Sequence, residues 1–206
     1  MHLQLEKGGK FALNKGIDQV RVSLSWAAPE VVGGEKYDPD ASAFGLAHLA
    51  DGTPVAYNDG SHFVFYGDTD LKQADGHFET ADGSISHSGD NQVGGEERIT
   101  ITLSKIPTAL AEIAIWVTIY QAKIRKHTFG AMKDAEISIT DLGTGNKLAQ
   151  YKLGPEFKDF FAVQVGSLYR NATGVWEFTA IGAGAMVEIE QVLSQYGIQV
   201  SAAQGS

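Results

Sequence analysis

The sequence predicts a mainly all-β protein: a β-sandwich of two antiparallel sheets, with one short C-terminal helix and minor helical turns. Three observations carry that expectation. Apolar and polar residues alternate with period two along most of the chain, the mark of strands with one face in a core. Glycine is abundant, at 24 of 206 residues, and proline is scarce at 5, which suits tight turns between strands. No helical pattern separates successive strand segments, so a sandwich is expected rather than a βαβ sheet.

The elements follow in order. QVRVSLSW sets Val20, Val22, Leu24 and Trp26 on one face, and ASAFGLAHL comes next. In HFVFYG, Phe63 and Phe65 oppose Val64 and Tyr66. RITITL turns Ile99, Ile101 and Leu103 inward and Thr100 and Thr102 outward. EIAIWVTIYQA is apolar on both faces, with Ile113, Ile115, Val117 and Ile119 opposed by Ala114, Trp116 and Tyr120. Such a segment is expected at the centre of a sheet covered on both sides. AEISITDL, KLAQYKL, FFAVQVGSLYR and VWEFTAIG complete the strands, and DLGTGNK and RNATGVW read as hairpin turns between them. IPTALAEI is expected to form one helical turn, with Pro107 near its start. AMVEIEQVLSQYG carries Met186, Ile189, Leu193 and Tyr196 as a stripe, and Gly197 stands where a helix stops. The closing SAAQGS has nothing to bury, so one domain is expected over residues 1–198, with a disordered tail at 199–206.

Charge and composition narrow the function classes. A net charge of −9 argues against nonspecific nucleic-acid binding, which needs cations to displace counterions, and against anionic lipid. It fits cation binding or a basic partner, as well as plain solubility. The absence of cysteine excludes disulfides, thiolate metal sites and thiol chemistry. No stretch approaches the ~20 apolar residues of a membrane span, and the N-terminus has no signal-peptide core. A cytoplasmic protein without direct membrane insertion is the expectation.

Several site patterns can be set aside. Gly182 and Gly184 follow a strand, as in a dinucleotide fingerprint, but the third glycine position is Val187 and too little chain follows for a second parallel strand. Close helix–sheet packing is the expected reason for these glycines. The six histidines show no i,i+4 pair, and His87, Ser88 and Asp90 lie too close together to align as a catalytic triad. GDTDLKQADG starts like a calcium loop, but Lys72 and Gln73 stand where an EF-hand needs a ligand and a glycine, so a solvated hairpin loop is expected.

Two acidic stretches are more informative. Asp38 and Asp40 flank Pro39 just before a strand, and two acids so spaced repel unless hydrated or neutralised. Asp90, Asn91, Glu96 and Glu97 fall within eight residues in DGSISHSGDNQVGGEERITITL. Together they supply six oxygen-bearing side chains in two loops beside strand ends, an inventory that suits calcium better than zinc. Solvated acidic loops are the competing reading.

LEKGGKFALNKG, VRVSLSW, YDPDASAF, FVFYGD, DGSISHSGDN, LSKIP, IAIWVTIY, FGAMKDAEI, GSLYR and VWEFTAIGAG with QYGI follow one another from about residue 3 to 198. In that order and spacing they resemble the TerD family of tellurium-resistance and bacterial stress proteins. The resemblance implies a β-sandwich that binds Ca2+ through acidic loops and serves as a scaffold or sensor in a stress-response assembly, without established catalysis. It implies protein partners and association with membranes through those partners; a homo-oligomer is a further expectation for the chain. By position, it implies Asp38 and Asp40 in the family's DxDASAF motif and Asp90 and Asn91 in HSGDN as calcium ligands.

The chain also departs from the pattern. The family's GDNxTGEGxGDDExI is here GDNQVGGEERI, four residues shorter, with Glu96 and Glu97 aligned to its end. Ala27 replaces the acid of the family's GWD, and FYGDTDLKQADGHFETADGS is longer than its counterpart, so Asp68 or Asp70 is placed to compensate. One weakened calcium site is therefore expected, with Asp38, Asp40, Asp68, Asp90, Asn91, Glu96 and Glu97 as candidate ligands. One alternative is an interaction sandwich that has lost the ion and assembles through edge strands. Another is a lectin-like sandwich using Tyr57, Tyr66 or Trp176 as exposed aromatics beside the acidic loops.

Overall fold

The structure, a computed structural model, describes residues 3–4, 6–27, 37–89 and 95–198. The strands are β1 (Leu3–Gln4), β2 (Lys10–Ala12), β3 (Gln19–Ala27), β4 (Pro39–His48), β5 (Pro54–Ala56), β6 (Phe63–Val64) and β7 (Phe78–Glu79). They continue with β8 (Ile85–His87), β9 (Gly95–Thr102), β10 (Glu112–Ile119), β11 (Lys133–Asp141), β12 (Lys147–Lys152), β13 (Ala162–Arg170) and β14 (Trp176–Ala185). A short helix, α1 (Ala122–Arg125), follows β10, and α2 (Ile189–Gln195) follows β14.

Two sheets form the sandwich. The first runs β1-β12-β11-β3-β9-β8-β7, and the second β2-β14-β13-β10-β4-β5, with β6 also on β4. Every pairing is antiparallel except β1 with β12. Between the sheets, Val20, Val22, Leu24, Ile99, Ile101, Ile137 and Ile139 of the first pack with Ile113, Ile115, Val117, Ile119 and Val163 of the second. Each such side chain removed from water stabilises the fold by about 1.5–3 kcal/mol, before chain entropy is counted.

β10 is buried along its whole length, as a segment apolar on both faces requires. Its second face, Ala114 and Trp116, packs with Phe44, Leu46, Ile189, Val192, Leu193 and Tyr196. The α2 helix is therefore a lid on the outside of the second sheet, pinned where the Trp116 indole N–H donates to the Tyr196 hydroxyl at 3.0 Å.

Both predicted hairpins form, β11–β12 and β13–β14. Four expectations need correction. The C-terminal helix begins at Ile189 rather than near Met186, because β14 runs on to Ala185 and Gln191 reaches back to the Glu188 N–H at 2.6 Å. Met186 is left 69% exposed, and the buried stripe is Ile189, Val192, Leu193 and Tyr196. HFVFYG pairs only at Phe63–Val64, since the chain turns at Phe65, whose carbonyl accepts from Asp68 N–H. The loop after Asp68 folds back on itself, Lys72 bridging to Phe78, whose ring is buried. Gly182 and Gly184 make room for side-chain rings rather than for a helix: an added Cβ would lie 2.6 Å from the Tyr151 hydroxyl and 2.3 Å from the Phe160 ring, respectively. Residues 199–206, expected as a tail, lie outside the described residues.

Candidate functional site

The strand ends define one acidic rim. Trp26 at the end of β3 pairs with Gly95 at the start of β9, and Pro39 at the start of β4 pairs with Ile119 at the end of β10. The expected ligands Asp90 and Asn91 lie outside the described residues. The other candidate acids are described, and alternation along their strands sorts them.

Asp40 is inside β4 rather than in a loop and is 1% exposed. Its neighbours Ala41 and Ala43 face the inter-sheet core. Asp40 and Ser42 therefore point the other way, to the outer face that Phe44 and Leu46 share with α2. Thr118 of β10 stands directly opposite Asp40 on that face. The hydroxyls of Ser42 and Thr118 are both buried and have no hydrogen-bond partner among the described residues. Tyr66 lies over the same region: burial, and after it the charge of Asp40, push its phenol well above the usual range. Its ring meets that of Tyr120 edge-on at 5.6 Å. The rim's outer side thus gathers a buried carboxylate, two buried hydroxyls and a phenol held in its neutral form.

Glu96 and Glu97 occupy β9, so they point in opposite directions. Glu97 is fully buried; its Oε2 accepts from the Ala41 N–H at 2.8 Å and lies 3.3 Å from His87 Nε2. Because the Gly89 N–H donates to His87 Nδ1 at 3.1 Å, it is Nε2 that carries the ring hydrogen toward Glu97. The Glu97 carboxylate ties the edge of β4 in one sheet to β8 in the other. Glu96 faces outward and is gripped by Arg98 Nε at 2.8 Å, which holds its carboxyl below the usual range.

Asp38 is half-buried beside Asp40, and its carbonyl accepts from Tyr120 N–H at 2.8 Å. Asp68 lies two residues beyond Tyr66, half-buried; burial raises its carboxyl although the Leu71 and Asp70 amides donate to it. Among the described residues, no three His, Asp or Glu side chains stand together in a metal-holding group. Sequence reasoning missed Ser42 and Thr118, which register places beside Asp40, and His87 as the partner of Glu97. Alternation along YDPDASAF signals Ser42; Thr118 depends on pairing between distant segments, and His87 on the register of the β8–β9 pair. Trp176, expected as an exposed aromatic beside the acidic loops, is buried and sits at the opposite end of the sandwich.

A β-sandwich with an acidic rim at one end and a helix lid on one sheet is the class of protein these observations define. A sequence profile described as the TerD domain matches residues 1–196, and this chain belongs to the TerD family. It is 33% identical to the "General stress protein 16U" of Bacillus subtilis (strain 168), over 97% of this chain and 100% of that protein. It is 34% identical to the "Tellurium resistance protein TerD" of Alcaligenes sp, over 98% and 100%. Its fold matches the crystal structure of a homologue of telluride resistance protein (TerD), SCO6318 from Streptomyces coelicolor A3(2), with a TM-score of 0.61 and 23% identity over 87% of this chain and 96% of that one.

Proposed function

We propose that this protein is a non-enzymatic component of a TerD-type stress response, and that it holds calcium at the acidic rim with Asp40 as the central ligand. Asp38, Asp68, Asp90 and Asn91 are the remaining acids and amide for the same ion. The observation that carries this reading is a carboxylate removed from water beside two buried hydroxyls, Ser42 and Thr118, that have no hydrogen-bond partner among the described residues. Burying such hydroxyls is costly unless something satisfies them, and a hard cation with six to eight oxygen ligands does so.

The relatives named for general stress and tellurium resistance support the biological setting. With no cysteine in the chain, thiol capture or reduction of tellurium species is excluded, which leaves assembly, sensing or scaffolding as its contribution. In this reading calcium relieves repulsion among rim carboxylates and orders the surface that a protein partner reads, in the cytoplasm.

A specific observation favours a second reading, a sandwich that has lost the ion and acts only through contacts. Glu97 is committed to Ala41 and His87, and Glu96 to Arg98, so two of the expected ligands already have internal roles. Isothermal titration of chelator-stripped protein separates the two. The calcium reading expects saturable heat with calcium, none with magnesium at equal concentration, and its loss in Asp40→Asn. Absence of calcium heat at millimolar concentration gives the second reading the ground.

A further inference from the structure

At the end of the sandwich opposite the rim, three connections enclose a cleft of about 610 Å³. They are residues 13–18 between β2 and β3, residues 103–108 after β9, and the turn between β13 and β14. Arg170, the last residue of β13, is half-buried in its wall. The cross-strand pairing of Arg170 with Trp176 brings the guanidinium carbon to 4.7 Å from the indole ring, and Nη2 donates to the Ile106 carbonyl at 3.1 Å. Stacked on one face and anchored at one nitrogen, the fork has a fixed direction.

No carboxylate among the described residues pairs with Arg170. Asp18, the acid on the cleft wall, turns its Oδ1 to the Ser104 N–H at 2.9 Å instead. Burial lowers the arginine's pKa, the sign of a cation held partly out of water without compensation. Lys15 stands exposed in the same cleft, with the exposed Ser104 and Thr108 on the wall. Ile17 and Val175, partly exposed, supply an apolar side. In a chain of net charge −9 this is a local concentration of positive charge in a concave site, suited to a small anion rather than to a polyanion.

We propose that this cleft binds a small phosphomonoester, its dianion taken by the Arg170 fork and Lys15 and its organic part lying along Ile17 and Val175. Two cations and two hydroxyls favour a dianion with several acceptor oxygens over a carboxylate, which the arginine fork alone would satisfy.

The test is a titration of 15N-labelled protein with phenyl phosphate, benzoate and inorganic phosphate, read at the Gly16 and Gly174 amides and the Trp176 indole N–H. Phenyl phosphate is expected to shift these signals to saturation, with inorganic phosphate and benzoate each binding more weakly. Arg170→Gln is expected to weaken phenyl phosphate roughly tenfold or more. Lys15→Gln, at an exposed position, is expected to weaken it severalfold at an unchanged melting temperature. No shift with phenyl phosphate, undiminished binding in Arg170→Gln, or benzoate binding as tightly as phenyl phosphate overturns the proposal. Should Arg170→Gln fail to fold, unchanged affinity in Lys15→Gln overturns it instead. Either result leaves the calcium reading untouched, because the two sites are at opposite ends.

Discussion

At the scale of single residues, a carboxylate with no solvent needs donors, and Glu97 finds them in the Ala41 amide and the His87 ring. Glu97→Ala strands both donors in the interior and is expected to cost about 1–3 kcal/mol, read as a lower urea midpoint at an unchanged slope. An unaltered midpoint would remove the cross-sheet tie from the account. Asp82 makes a prediction in pH. Burial pushes its carboxyl up, but hydrogen bonds from Ser84, His62 and Thr80 outweigh that and hold it well below the usual range. A carboxyl lowered by folding stabilises above its unfolded value, about 3.9, and loses that contribution as pH falls toward its folded value. Asp82→Asn is therefore expected to melt below the parent at pH 7, with the gap closing as pH drops below about 4. A gap that stays constant into acid contradicts the assignment. Asp38, Asp40 and Glu97 could be picked out from the sequence as residue types, but not the direction each points. That depends on register, which sets Thr118 opposite Asp40 and turns Glu97 toward the other sheet.

At the scale of elements, the strands were the legible part, because period two is a local signal. Val20, Val22, Leu24 and Trp26 all lie in the core, and β10 is central and covered as its two apolar faces require. The α2 helix was legible in kind but not in extent, since nothing local announces that β14 continues through Gly184 to Ala185. Bulges were not read either. Between β13 and β14 the register shifts at Gln164 and Gly166. A Cβ on Gly166 would lie 2.3 Å from the Phe178 ring and 2.6 Å from the Thr179 carbonyl oxygen. Backbone on one side and a core ring on the other cannot both yield, so Gly166→Ala is expected to destabilise by about 1–3 kcal/mol in chemical denaturation. A neutral substitution there would mean that the sheet shifts freely at the bulge.

At the scale of the whole molecule, the sandwich is polarised: acids and two buried hydroxyls without partners among the described residues gather at one end, and an arginine that no described carboxylate pairs with at the other. Antiparallel strands produce this from sequence positions far apart, β3 and β9 meeting at Trp26 and Gly95 and β4 and β10 at Pro39 and Ile119. For the same reason the cleft around Arg170, built from three separate connections, left no local trace, whereas the clustered acids of the rim did. The central claim is that the native state holds calcium at the rim, and a thermal melt of metal-stripped protein with calcium, magnesium or neither tests it most directly. At calcium about a hundredfold above its dissociation constant, linkage predicts a gain of about 2.7 kcal/mol, or roughly 5–10 °C in melting temperature, absent with magnesium and absent in Asp40→Asn. Identical melting temperatures in all three conditions, up to millimolar calcium, would contradict the claim.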